Sequence, residues 1–183
     1  MKKIALTLAL ASAFTVQAAE FTQVQADKSA VNFTYKQMGV AVDGRFKRFT
    51  SQLNFDPAKP AAAKATFEVE LASVDTGAPE GDDEVAGKPW FNTKAFPTAR
   101  FVSSSVKPLA GNKYEVTGQL SIKGKTQDVI VPATFTPQGK SGVFDGSFTI
   151  RRADFSIGEG SWAKFDIVAN DVLIKFRITA VSK

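Results

Sequence analysis

The sequence predicts an all-β domain of roughly eight strands, folded as a sandwich or as a closed antiparallel barrel. Three observations predict it. Apolar and polar residues alternate with period two through a series of separate runs. Turn-forming clusters of Gly, Pro and Asn fall between those runs. Sixteen phenylalanines are present, many on the apolar side of the alternation, and the 183 residues include no histidine and no cysteine.

The chain opens on a segment that does not belong to this pattern. Lys2 and Lys3 precede the apolar stretch from Ile4 to Val16, and Val16-Gln17-Ala18 offers small residues where a signal peptidase reads. This is the layout of a removable export signal spanning 1–18, with the cut after Ala18 or Ala19. A membrane anchor needs roughly 20 apolar residues, and polar Glu20, Thr22 and Gln23 follow at once. The protein is therefore expected in the periplasm, secreted across the inner membrane and not membrane-spanning, with residues 20–183 as a single domain.

The runs justify the strands one by one. Val31, Phe33 and Tyr35 alternate with polar residues, as do Leu53 and Phe55, then Ala65, Phe67, Val69 and Leu71. Tyr114, Val116, Gly118, Leu120 and Ile122 follow, then Phe144, Gly146, Phe148 and Ile150, then Val172, Ile174, Phe176 and Ile178. Each run places one apolar face on a pleated strand, and a slip of one residue would turn its aromatic rings out to water. Asp82 to Phe96 interrupts the alternation. Asp82 or Asp83 is expected to cap a short helix there, with Pro89 opening a second turn and Trp90, Phe91 and Phe96 packed on the barrel as a plug or flap.

The missing residue types exclude chemistry. Without His or Cys there is no Ser-His-Asp or Cys-His nucleophile system, no thiolate or imidazole zinc site and no imidazole acid–base catalysis. Carboxylates remain. Glu80, Asp82, Asp83 and Glu84 lack the order of a calcium loop and read as a solvated helix start. Asp154, Glu159 and Asp166 lie close in sequence, but nothing marks an acid/base pair. Neither cofactor nor metal is expected, and the protein is expected not to be an enzyme. The net charge of +5, of which Lys2 and Lys3 supply two, is scattered, with small groups at Arg45/Lys47/Arg48 and Arg151/Arg152. No concentrated basic face for nucleic acid follows from it. Arg151 and Arg152 are candidates to hold a phosphate or carboxylate headgroup; the plainer alternative is a strand end where one of them pairs with Asp154.

A barrel of about eight strands either fills its interior with side chains or leaves room for a ligand. Alternation alone favours the filled interior. Specific segments add to it: Asp27-Lys28-Ser29-Ala30-Val31-Asn32-Phe33, Gly44-Arg45-Phe46, Pro89-Trp90-Phe91-Asn92, Phe96-Pro97-Thr98-Ala99-Arg100-Phe101, Gly118 to Thr126, and Arg152-Ala153-Asp154-Phe155-Ser156-Ile157-Gly158. In this order and spacing the chain resembles the YceI family, lipocalin-like polyisoprenoid-binding proteins of bacteria.

The resemblance implies an eight-stranded antiparallel barrel with one short helical segment near 82–96 and an apolar tunnel for a long-chain isoprenoid or similar fatty amphiphile. It turns the inward residues into expected tunnel lining: Phe33, Tyr35, Phe67 and Val69 from the first half, Trp90 and Phe91 from the interrupting segment, and Phe101, Leu120, Phe148, Ile174 and Phe176 from the second half. Many relatives carry a histidine near Gln37-Met38-Gly39 and another near Glu84-Val85; this chain has neither. The alternative expectation is a stress-response or interaction protein with a filled barrel that acts through its outer surface, and a carboxylate hydrolase is a third. A homodimer is compatible with the sequence.

Overall fold

The computed structural model describes residues 20–183, so the expected export signal lies outside the described residues. The chain forms β1 (Phe21–Val24), β2 (Ala30–Gln37), β3 (Val40–Phe46), β4 (Phe49–Asn54), β5 (Lys64–Glu70) and β6 (Val74–Asp75). The helix α1 (Pro79–Ala86) follows, then β7 (Thr98–Pro108), β8 (Lys113–Ile122), β9 (Lys125–Gln138), β10 (Ser141–Arg151) and β11 (Val168–Ser182). All strands belong to one 11-stranded antiparallel sheet with the order β4-β5-β7-β8-β9-β10-β11-β2-β3-β6, and β1 pairs with β11. The sheet curls into the lipocalin-like barrel.

The strand count exceeds the expected eight for local reasons. A bend at Lys47 and Arg48 divides one stave into β3 and β4, and the turn Leu71–Ser73 divides its neighbour into β5 and β6. The short β1 is an addition. Two tight hairpins set the register. Gln37 pairs with Val40 across Met38-Gly39, and Ile122 with Lys125 across Lys123-Gly124. Both central residues have positive φ in each turn (48° and 81°; 49° and 73°). That is the geometry whose twist matches the flanking strands, and glycine at the second position removes most of its cost.

The helical segment differs from its expected boundaries. α1 begins at Pro79, before either aspartate, because proline at the first helical position carries the right φ and lacks only an N–H that would have no intrahelical acceptor. Asp82 does not cap the helix; its Oδ1 accepts from the Thr76 backbone N–H and from Thr76 Oγ1 at 2.7 and 2.8 Å, tying α1 to the end of β6. Residues 87–96 form successive turns rather than helix.

Two apolar clusters close the ends of the barrel. At one end Phe21, Phe55, Tyr114, Phe135 and Phe144 interlock with ring centroids 4.8–5.3 Å apart. Each such ring contributes about 1.5–3 kcal/mol by burial and each edge-to-face pair on the order of 0.5–1.5 kcal/mol more. At the other end Leu71, Trp90, Ile122, Phe155, Ile157 and Val168 pack beneath α1 and the turns that follow it. Among the described residues no helix is long and apolar enough to cross a membrane.

Candidate functional site

Between the two clusters the barrel is hollow. A lower chamber of about 180 Å³ adjoins the aromatic end, and an upper chamber of about 260 Å³ lies under α1. Val31, Val69, Ala99, Leu120, Phe148 and Ile174 line both, so the chambers meet at a waist formed by these side chains.

The lumen stays open although it is rich in phenylalanine, because inward-facing glycines sit beside several of the rings. Phe33 pairs with Gly44 across β2 and β3, and Phe176 pairs with Gly146 across β10 and β11. A β-carbon on either glycine would stand 2.3 Å from the ring, well inside contact distance. The rings occupy the space a side chain would take on the neighbouring strand, lie against the wall and leave the axis free. Phe101 lies against Gly118 in a similar way but diagonally, since its direct partner is Leu120.

Every residue expected in the lining borders a chamber. Phe67, Phe101 and Phe176 face the lower one. Phe33, Tyr35, Trp90 and Phe91 face the upper one. Val69, Leu120, Phe148 and Ile174 face both. The walls are predominantly apolar; Lys64 borders the lower chamber, and near the cap Gln37, Thr76, Glu84 and Arg152 border the upper one. Burial raises the pKa of the Tyr35 hydroxyl, which keeps it neutral. The Trp90 indole N–H is buried without a hydrogen-bond partner.

Two buried cations build the cap. The Arg152 guanidinium, 2% exposed, lies 5.4 Å from the Trp90 ring centroid. Its nitrogens donate to the carbonyls of Ala169, Ile157, Gly158, Trp162, Lys164 and Val168 at 2.7–3.2 Å. Burial lowers its pKa from the usual arginine value. Lys123 Nζ donates to Ser156 O and Glu159 Oε2 at 2.7 Å each, and to Pro89 O at 3.4 Å. That hydrogen bond, with the charge of Lys123, holds the Glu159 carboxyl below the usual glutamate range. Across the mouth, Trp162 Nε1 donates to Glu84 Oε1 at 2.7 Å, and the Trp162 ring lies 5.4 Å from Trp90.

The two headgroup candidates occupy different places. Arg152 borders the upper chamber, but nitrogens with five N–H groups serve six carbonyls, so no donor is left for a ligand. Arg151 is exposed and pairs with Asp154 Oδ2 at 2.9–3.0 Å. Sequence reasoning missed Lys123, Glu84 and Trp162 as parts of the cap. Lys123 follows the end of an alternating run, next to Gly124, and Trp162, the second of two tryptophans, lies outside any alternating run. Among the described residues no group of three or more acidic, His or Cys side chains is arranged to hold a metal ion.

The comparisons with known proteins agree with this architecture. Residues 23–180 match the YceI-like domain. A UPF0312 protein of Pseudomonas savastanoi pv. phaseolicola is 32% identical over 162 residues, covering 84% of each chain. The crystal structure of Burkholderia cenocepacia BcnA is similar with a TM-score of 0.85 and 46% identity, covering 87% of this chain and 100% of that one. A polyisoprenoid-binding domain from Saccharophagus degradans, implicated in plant cell wall breakdown, shares the fold with a TM-score of 0.68 and 17% identity, covering 91% of this chain and 100% of its own. With its curled antiparallel sheet, the chain belongs to the YceI-like domain family.

Proposed function

We propose that the protein is an exported carrier that sequesters a long-chain isoprenoid or similar amphiphilic lipid inside its barrel, in the periplasm, without catalysing a reaction. The observation that carries this reading is the pair of adjoining apolar chambers. An apolar cavity of about 150 Å³ holds a six-carbon ring. On that scale chambers of about 180 and 260 Å³ have room for a chain on the order of 15–20 carbons. Burial is worth about 0.8 kcal/mol per methylene, so such a chain gains on the order of 12 kcal/mol before the costs of association. That is enough for tight binding without a specific polar contact. The polyisoprenoid-binding protein of the same fold supports the isoprenoid class. The hollow interior speaks against the filled-barrel alternative.

Native mass spectrometry of protein purified without detergent tests the proposal. Retained or titrated lipid at a ratio of one per chain is the expected result. A chain that stays empty in the presence of isoprenoids and fatty acids would overturn it. Amino-terminal sequencing of the periplasmic fraction tests export, with Ala19 or Glu20 as the expected first residue.

A further inference from the structure

The barrel wall has a break opposite its closed seams. β2 and β3 stay paired as far as Val31 and Phe46. The wall joins again where Phe21 and Phe55 exchange two backbone hydrogen bonds of 2.8 and 3.1 Å. Between these points β4 has a ladder on one side only, to β5. Its other side faces the segment from Ala26 to Ala30 across a surface groove. Val31 lines this groove and both chambers, and Phe46 lines the groove and the upper chamber. At that point the partition between groove and lumen is one layer of side chains.

The groove carries Arg45, Lys47 and Arg48, which are 64%, 49% and 61% exposed. Arg48 is matched by Glu70 through two hydrogen bonds of 2.6 Å, and Glu68 is matched by Arg100 at 3.0 Å. Arg45 and Lys47 share a single carboxylate, that of Asp75, at 3.0 and 3.7 Å. The cluster therefore holds one positive charge more than its partners neutralise. The capped end is built differently. Lys123 and Arg152 are fully engaged there, and α1 presents Glu80, Asp82, Asp83 and Glu84. The uncompensated positive charge favours an anion at the groove.

We propose that the groove is a side port for an anion-headed amphiphile. The head, a phosphate or a carboxylate, rests on Arg45 and Lys47, while the chain enters the lumen beside Val31 and Phe46, just past the last pair of the β2–β3 ladder. The pairs with Asp75 are exposed and exchange readily for a ligand oxyanion, which accepts charge-assisted hydrogen bonds from the same donors. The proposal rests on the lipid-carrier reading above and adds where the head lies and what charge it bears.

Titration of the full exported protein with geranylgeranyl phosphate, palmitate and geranylgeraniol tests it. The double variant Arg45→Gln/Lys47→Gln is expected to bind the phosphate and the palmitate about tenfold more weakly, corresponding to loss of one charge-assisted contact. The alcohol is expected to bind within about twofold of wild type. Both side chains are exposed, so the unfolding temperature serves as a check that the fold is intact. Lys140→Gln is the control, because Lys140 is an exposed lysine in the turn between β9 and β10, away from the groove and from both chambers; its affinities should not change. Equal losses for all three ligands, no loss for either anion, or a loss confined to Lys140→Gln would overturn the port. Binding of the alcohol alone by wild type would also overturn it and leave the carrier reading standing. Failure of all three ligands to bind would remove the carrier reading itself.

Discussion

The ring of Phe176 lies against Gly146 on the neighbouring strand, in the place a side chain would occupy, with its tip 2.3 Å from where a β-carbon would stand. Pro132 O closes the same site at 2.4 Å, so the backbone cannot give way cheaply. Gly146→Ala is expected to destabilise the fold by about 1–3 kcal/mol through overpacking and to push the ring toward the lumen. Chemical denaturation reads the first effect and loss of lipid affinity the second.

Ala99 is the smallest side chain at the waist, and it is buried. Ala99→Phe should separate the chambers. Chains short enough for one chamber, about ten carbons on the scale used above, should bind as before. A chain of about twenty carbons should bind at least tenfold more weakly, about 1.4 kcal/mol. A chain-length series by calorimetry checks this, and a uniform loss at every length would contradict it.

Arg152→Met removes the donors that six carbonyls accept from. Each buried acceptor left without a partner costs on the order of 1–3 kcal/mol, so a total loss above about 3 kcal/mol is expected. Arg152→Lys should rescue little, because an ammonium has three donors and no planar fork to reach carbonyls on several sides. Thermal unfolding of both variants measures the difference.

The Lys123–Glu159 pair gives a pH dependence with a definite sign. The folded state holds the Glu159 carboxyl below its ordinary value. Its stabilisation is therefore complete above the ordinary glutamate pKa of about 4.3 and fades as the pH falls through the depressed value. Glu159→Gln should unfold with a shallower acid slope than wild type between about pH 6 and pH 3. Urea unfolding across that range checks it; identical slopes would show that the pair contributes nothing.

Both tryptophans border the upper chamber, but Trp90 is buried, whereas Trp162 is partly exposed and bound to Glu84. Occupancy of the tunnel should change the fluorescence of Trp90. Trp90→Phe should abolish most of the ligand-dependent signal, and Trp162→Phe should keep it.

The sequence makes the lining legible because a strand's period is two: once Phe33, Phe148 and Ile174 are placed inward, the residues two positions away follow. What escaped it lies where that period fails. β9 contains Pro132 and Pro137, which have no N–H for a ladder, yet it runs for 14 residues. β7 carries a bulge between Ser103 and Ser105 that shifts its alternation by one residue. Arg152 and Lys123 were equally hidden. A buried arginine looks like an exposed one until the chain from Ile157 to Val168 wraps its carbonyls around it. The hollow interior was also beyond the alternation, because a phenylalanine that fills a core and one that lies against a glycine have the same pattern in one dimension. The pairing of Phe33 with Gly44 decides between them only when the register is known.

The last strand has a consequence for how the chain reaches this state. β11 holds β10 along one edge and β2 and β1 along the other, and the Lys183 N–H donates to Glu20 O at 3.1 Å. The first and the last strand of the described residues therefore form one seam. That seam joins residues some 150 positions apart, the slowest class of contact to find because loop closure precedes any gain. A chain still emerging from its synthesis lacks its final stave and cannot shut, however well its earlier hairpins have formed.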